Sequence, residues 1–277
     1  MSYGLLLDID GVMVTSWQAL PGAADAVAEL ARRGIPRMFL TNTTSRSRAE
    51  IAAALGDAGF DVRSDEILTA AKLTAEYLGT HHPGKKVWVL NQGPIAEDMA
   101  RVNLVDDPRQ AEVIVLGGAG PVFTHEALST VFDRMMGGSG TGGVTAGIPV
   151  VAMHRSMTWS TSKGLAIDTG MYLEGLEKAS GRKIKAVGKP SPLGFRTACE
   201  LMDLDPAQVV MVGDDMHNDV LGAQAAALTG VLVRTGKFRE DALRQLQRDE
   251  FGPVPDHIID SLADLPDLFT KLCPPAG

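Results

Sequence analysis

The sequence predicts an α/β protein: a parallel-sheet core with helices on its faces, interrupted by a second α/β domain. Three observations carry that expectation. Short apolar runs alternate with longer helical ones at the pitch of strand–helix–strand units. The same alternation opens the chain and returns near its end. Between Asn42 and Lys189 the chain is far too long for a single crossover and has an alternation of its own, so a separate domain must be inserted there.

The elements follow in order. Leu5 to Ile9 reads as a buried strand. Pro21 to Arg33 is an Ala/Leu/Val-patterned helix with proline near its first turn. Met38 to Leu40 is the next strand, and Ser45 to Leu55 a helix capped by Ser45 or Ser47. In the middle region the expected strands are Lys86 to Leu90, Glu112 to Leu116 and Pro149 to Met153. The expected helices there are Pro94 to Val102, His125 to Met136 and Leu165 to Lys178. Late in the chain come a strand at Gln208 to Val212, a helix at Asp219 to Leu228, and strands at Gly230 to Arg234 and His257 to Ile259. The Gly-rich stretch Gly137 to Gly143 lacks the strand-to-helix frame of a phosphate cradle and reads as a mobile loop.

Composition narrows the function. The 277 residues are 45% hydrophobic and 22% charged, as in a globular protein with a sizeable core. A formal net charge of −8 argues against a nucleic-acid or membrane-surface binder, either of which needs a basic face. No run approaches a membrane span, and the Asp-interrupted N-terminus lacks the features of a signal peptide. With only Cys199 and Cys273, no disulfide framework is available, and a reducing, cytoplasmic setting is expected.

Four short pieces carry the chemistry. Asp8-Ile9-Asp10-Gly11 ends the first strand, where open α/β sheets bind ligands. Asp and Gly also end strands simply as turns. Thr41-Asn42 ends the next strand and suits either phosphoryl oxygens or a helix cap. Gly188-Lys189-Pro190 holds a lysine between two conformationally special residues. Gly213-Asp214-Asp215, with Asp219 beyond, crowds carboxylates at an apolar strand end. Such crowding calls for a hard cation with oxygen ligands, Mg²⁺ above all.

In this order, the four pieces resemble the motifs of the haloacid dehalogenase superfamily of phosphohydrolases over nearly the whole chain. The insertion between the second and third motifs is similar to the α/β cap of the NagD-type branch. Gly164-Leu165-Ala166-Ile167, and Gly213-Asp214-Asp215 through Gly222-Ala223, further resemble the group around phospholysine phosphohistidine inorganic pyrophosphate phosphatase. The resemblance implies a Rossmann-like catalytic core at residues 1–79 and 186–277, with a substrate-specificity cap at 80–185. It implies Asp8 as nucleophile, Asp10 as general acid and base, and Lys189 as the compensating cation. Thr41 and the Asn42 amide would hold the phosphoryl group. Mg²⁺ would be held by Asp8, the Asp10 carbonyl and Asp214, with Asp215 and Asp219 orienting its waters. Thr43 stands where the branch often has a second Asn, a modest change in a backbone-dominated loop.

The cap is expected to choose the substrate, a small phosphorylated molecule. Its candidate contacts are His154, Arg155, Trp159 and Lys163, just after a cap strand. Asp168 is expected to face solvent, the alternative being contact with a cationic or amine-bearing substrate; His217 is expected to hydrogen-bond within its loop, and Cys199 to pack in the core. A monomer and a homodimer are both compatible with the sequence. A phosphotransferase or phosphomutase would share every motif. A non-catalytic binding protein would typically have lost Asp8, Asp10 or Lys189. A response-regulator receiver would be near half this length.

Overall fold

The structure, a computed structural model, describes residues 3–138, 147–161, 164–248 and 252–272. Its elements confirm a parallel-sheet α/β core with an inserted α/β domain. By internal contacts the chain divides into two compact units. The first is Met1–Thr41, Arg48–Leu68 and Lys189–Gly277; the second is Asn42–Ser47 and Thr69–Gly188.

The first unit begins with β1 (Gly4–Leu7), buried along its whole length. A two-residue hairpin follows, β2 (Val14–Thr15) against β3 (Gln18–Ala19), with both turn residues, Ser16 and Trp17, at positive φ. Then come α1 (Ala23–Arg32), β4 (Arg37–Thr41), α2 (Arg48–Asp57) and β5 (Ile67–Thr69).

The second unit supplies α3 (Ala70–His81), β6 (Val87–Leu90), β7 (Val113–Leu116), α4 (His125–Met136), β8 (Val150–Ala152), β9 (Thr158–Thr161), β10 (Gly164–Ile167), α5 (Thr169–Ser180) and β11 (Lys185–Ala186). The chain then returns to the first unit with α6 (Pro192–Leu201), β12 (Val209–Gly213), a π-helical turn at Met216–Leu221, α7 (Gly222–Ala225), β13 (Thr229–Val233), α8 (Glu240–Gln247), β14 (His257–Ile259) and α9 (Leu265–Leu272).

The first unit's sheet has the order β14-β13-β12-β1-β4-β5. β1 lies in parallel between β12 and β4, with Leu7 opposite both Val212 and Phe39. Strands buried on both faces need unbroken apolar runs, which explains the Val/Leu-rich β1, β12 and β13. Leu5, Leu7, Val210, Val212 and Phe39 form one core with Val27 and Leu30 of α1 and Ile51 and Leu55 of α2. Cys199 is buried on α6, as expected. The second unit has a parallel sheet, β11-β8-β7-β6, and an antiparallel ribbon pairing β9 with β10. Among the described residues, no helix is long and apolar enough to cross a membrane.

Three expected helices differ. Pro94 to Val102 forms turns rather than a helix. Buried Asp98, which accepts from the Thr69 hydroxyl, and buried Met99 tie the segment down, and Leu104 then bridges to Val87. Leu165 to Ile167 belongs to β10, because Gly164–Ile167 pairs with β9; the helix starts only at Thr169, where Asp168 caps it. The helix expected from Asp219 starts earlier, at Met216, since Asp215 accepts from the amides of His217 and Asn218. Ala227, at φ 69°, ends it. Of the Gly137 to Gly143 loop, Gly137 closes α4 in the left-handed conformation, and residues 139–143 lie outside the described residues.

Candidate active site

β1 and β12 are parallel neighbours, so the residues that follow them emerge at the same sheet end. These are Asp8, whose amide donates to Val212 O at 2.9 Å, and Asp214. Both are buried, at 5% and 1% exposure. Asp219, on the turn after β12, is buried as well, and Asp8, Asp214 and Asp219 each offer a carboxylate oxygen within 4.8 Å of one another. Lys189, at 4% exposure, sits between two of them. Its Nζ lies 2.7 Å from Asp8 Oδ1 and 2.7 Å from Asp219 Oδ1.

Backbone turns close the site. The turn after β1 is pinned by Gly11 N to Val14 O at 2.7 Å and by the Thr235 hydroxyl, which donates to Gly11 O at 2.6 Å. The Asp214 carboxylate fits in a slot between Gly11 and Gly236, both at positive φ; a Cβ on either would collide with Asp214 Oδ2. That oxygen accepts from Lys237 N at 2.6 Å. Its twin, Asp214 Oδ1, is buried with no hydrogen-bond partner among the described residues. Asp215 is engaged differently. It accepts from His217 N, Asn218 N and Asn218 Nδ2 at 3.1, 3.0 and 2.7 Å, and its amide donates to Asp219 Oδ2 at 3.1 Å.

Titration follows from this geometry. Burial, then the charges of Asp8 and Asp219, push the Asp214 carboxyl up to about 8. Asp219 rises to about 7, because burial outweighs the pull of Lys189. Burial alone would lower Lys189, but Asp219 and Asp8 hold it well above the usual lysine range. Asp10, on the turn beside Asp8, is raised by desolvation and by the Asp8 charge. Burial would raise Asp215, but the Asn218 donors win and hold it low.

The remaining predicted residues divide between the units. Thr41 is the last residue of β4, beside β1, and is buried at the same sheet end; Asn42 follows it and is half-buried. His217 is exposed, with its amide on Asp215, as expected. In the second unit, His154 is buried, its Nε2 lying 4.0 Å from Asp168 Oδ2. Arg155 is paired with Glu177 and, at 3.3 Å, with Glu174. Trp159 is exposed, and Lys163 lies outside the described residues, as does Cys273. Asp168 does not face solvent. It is buried because it caps α5 and accepts from the amides of Thr169 and Ala119, at 2.8 and 3.1 Å.

Lys237 was not among the predicted residues. The available signal is Thr235-Gly236-Lys237, one residue past apolar β13, a third parallel strand ending beside the acidic pair.

A parallel sheet with clustered carboxylates, a buried lysine and a hydroxyl at its carboxyl end defines a class of phosphoryl-handling α/β enzymes, and the comparisons agree. Residues 5–105 match a family model described as haloacid dehalogenase-like hydrolase, and residues 186–265 match a second model of HAD-hydrolase-like proteins. Human phospholysine phosphohistidine inorganic pyrophosphate phosphatase is 31% identical over 275 residues, covering 97% of this chain and 94% of that protein. Haloacid dehalogenase-like hydrolase domain-containing protein 2 of Bos taurus is 30% identical, covering 93% of this chain and 96% of that one. Among solved structures, p-nitrophenyl phosphatase from Archaeoglobus fulgidus superposes with a TM-score of 0.84 at 28% identity, covering 96% of this chain and 99% of that one. NagD from E. coli K-12 gives 0.81 at 26% identity, covering 95% and 98%. The chain therefore belongs to the haloacid dehalogenase-like hydrolase family, in its NagD-type phosphatase branch.

Proposed function

We propose that this enzyme is a Mg²⁺-dependent phosphohydrolase that cleaves a phosphomonoester, phosphoramidate or pyrophosphate through an aspartyl-phosphate on Asp8. The observation that carries the reading is Lys189 wedged between Asp8 and Asp219 beside the bare Asp214 oxygen: a buried site with more negative charge than its lysine can balance.

The donor set fits magnesium. Three carboxylates offer hard oxygen atoms within one small space, and the unpartnered Asp214 Oδ1 is a ligand without another role. Asp8, the Asp10 backbone carbonyl and Asp214 are the proposed holders, with Asp215 and Asp219 supporting them. When bound, the ion supplies positive charge that lets phosphoryl oxygens enter among carboxylates.

The chain's own residues perform the transfer. An Asp8 oxygen attacks phosphorus, and the bond to the leaving oxygen or nitrogen breaks. Asp10, its carboxyl raised above the usual range, delivers a proton to that leaving atom. Asp10 then takes a proton from water as the water oxygen attacks the phosphoryl group, which releases orthophosphate and restores Asp8. Lys189 holds Asp8 in place and offsets its charge. The Thr41 hydroxyl and the Asn42 amide bind phosphoryl oxygens. The inserted unit is read as the specificity cap of this branch, with exposed Trp159 and the sequence-predicted Lys163 as candidate contacts; buried His154, and Arg155, which pairs with Glu177, serve the unit's own packing.

The test is phosphate release from 4-nitrophenyl phosphate, inorganic pyrophosphate and a phosphoramidate, with Mg²⁺ and with excess chelator. Release from at least one substrate that stops with chelator is the expected result. Release indifferent to chelator would remove the metal from the account, and no release from any substrate would overturn the phosphatase reading.

A further inference from the structure

The two lysines at this sheet end are held in opposite ways. Lys189 is buried, with its ammonium engaged by Asp8 and Asp219. Lys237 is fixed by its backbone instead. Its amide donates to Asp214 Oδ2 at 2.6 Å, and the neighbouring Thr235 hydroxyl ties the same loop to Gly11 O at 2.6 Å. Its side chain is 63% exposed, and Nζ lies 4.0 Å from Asp215 Oδ2, beyond hydrogen-bond length. The loop thus lies against the Asp10–Gly11 turn and carries an exposed lysine at its next residue.

Building on the phosphohydrolase reading above, we propose that Lys237 is a specificity residue for the leaving group, favouring substrates whose departing part is itself anionic. Asp10 protonates the leaving atom in that reading, so a cation beside Asp10 lies on the leaving-group side. Because its side chain is exposed and stands 4.0 Å from Asp215 Oδ2, Lys237 can reach a second phosphate, as in a diphosphate. The same charge repels an ammonium-bearing leaving group such as a lysine side chain. Diphosphate-type substrates are therefore favoured over phosphoramidates of basic side chains, and the discrimination comes from the core rather than from the inserted unit.

The experiment compares kcat/KM for inorganic pyrophosphate and for 4-nitrophenyl phosphate, whose leaving group carries no charge before reaction, in the intact chain, Lys237→Met and Lys237→Arg. The pyrophosphate-to-aryl ratio should fall about fivefold in Lys237→Met, the scale of one solvent-facing charge pair, and recover in Lys237→Arg. Added salt should lower the ratio in the intact chain and leave it flat in Lys237→Met. Inhibition of aryl phosphate hydrolysis reports the same preference independently: pyrophosphate should inhibit more strongly than orthophosphate, and that margin should shrink in Lys237→Met. An unchanged ratio, equal losses on both substrates, or no rescue by arginine would overturn the proposal while leaving the phosphatase reading intact. Loss of all Mg²⁺-dependent phosphate release in the intact chain would overturn that reading, and this proposal with it.

Discussion

Two buried carboxylates, one in each unit, experience opposite electrostatics. Glu177, on α5 of the inserted unit, accepts from Ile184 N at 2.6 Å and from the Arg155 guanidinium. Burial works to raise it, but those donors win and hold it below the usual carboxylate range. Asp214, at the end of β12, has one oxygen on Lys237 N and the other bare, and it is pushed up to about 8. Asp168, in the same unit as Glu177, is likewise satisfied by amides. Carboxylates with their own donors hold a fold together. Carboxylates left short of positive charge, at large cost to the fold alone, are where an incoming cation would be most stabilising.

The largest way to break this contrast is Lys189→Met. Removing the cation between Asp8 and Asp219 leaves two buried carboxylates uncompensated. Denaturant unfolding should show a loss of about 3–5 kcal/mol, with phosphate release falling by at least about a hundredfold. A stability loss under about 1 kcal/mol would place the pair in the class of exposed ion pairs.

The second test is pH. The carboxyls of Asp214 and Asp219 rise from an ordinary value of 3.8 to about 8 and about 7, so the folded chain binds more protons than the unfolded chain across that window. Metal-free stability should therefore be greatest at the acid end of the window and decline as pH rises towards 8. Mg²⁺ competes with those protons and should raise the melting temperature more at pH 8 than at pH 5. Calorimetry with and without the ion checks this; an equal Mg²⁺ effect at both values would count against metal binding by these carboxylates.

The smallest effect sharpens the other side of the comparison. Asp168→Ala removes the cap of α5 and should cost about 1 kcal/mol, with kcat on aryl phosphate nearly unchanged. A collapse of kcat without loss of stability would give Asp168 a role beyond the fold.

The proposed catalytic pieces are legible in the sequence because each is local: a carboxylate, hydroxyl or lysine next to an apolar strand or a Gly/Pro boundary. Parallel pairing then brings Asp8, Thr41 and Asp214 to one sheet end without further information. What the sequence hides depends on tertiary partners. Asp168 looks like a surface acid until Ala119 N, 49 positions away, takes up its carboxylate. Arg155 looks available until Glu177 pairs with it. Gly164–Ile167 carries enough apolar character to extend the following helix, and only pairing with β9 makes it a strand. Lys237 is missed for the reverse reason, since an exposed lysine after a glycine has no local signature until its amide is seen on Asp214.

The most direct test of the central claim is acid-quenched mass spectrometry of the intact chain during turnover of an aryl phosphate with Mg²⁺. One phosphoryl group is expected on the peptide that contains Asp8, with neither that adduct nor turnover in Asp8→Asn. Turnover that persists in Asp8→Asn, or a phosphoryl group mapped to any other residue, would contradict that claim.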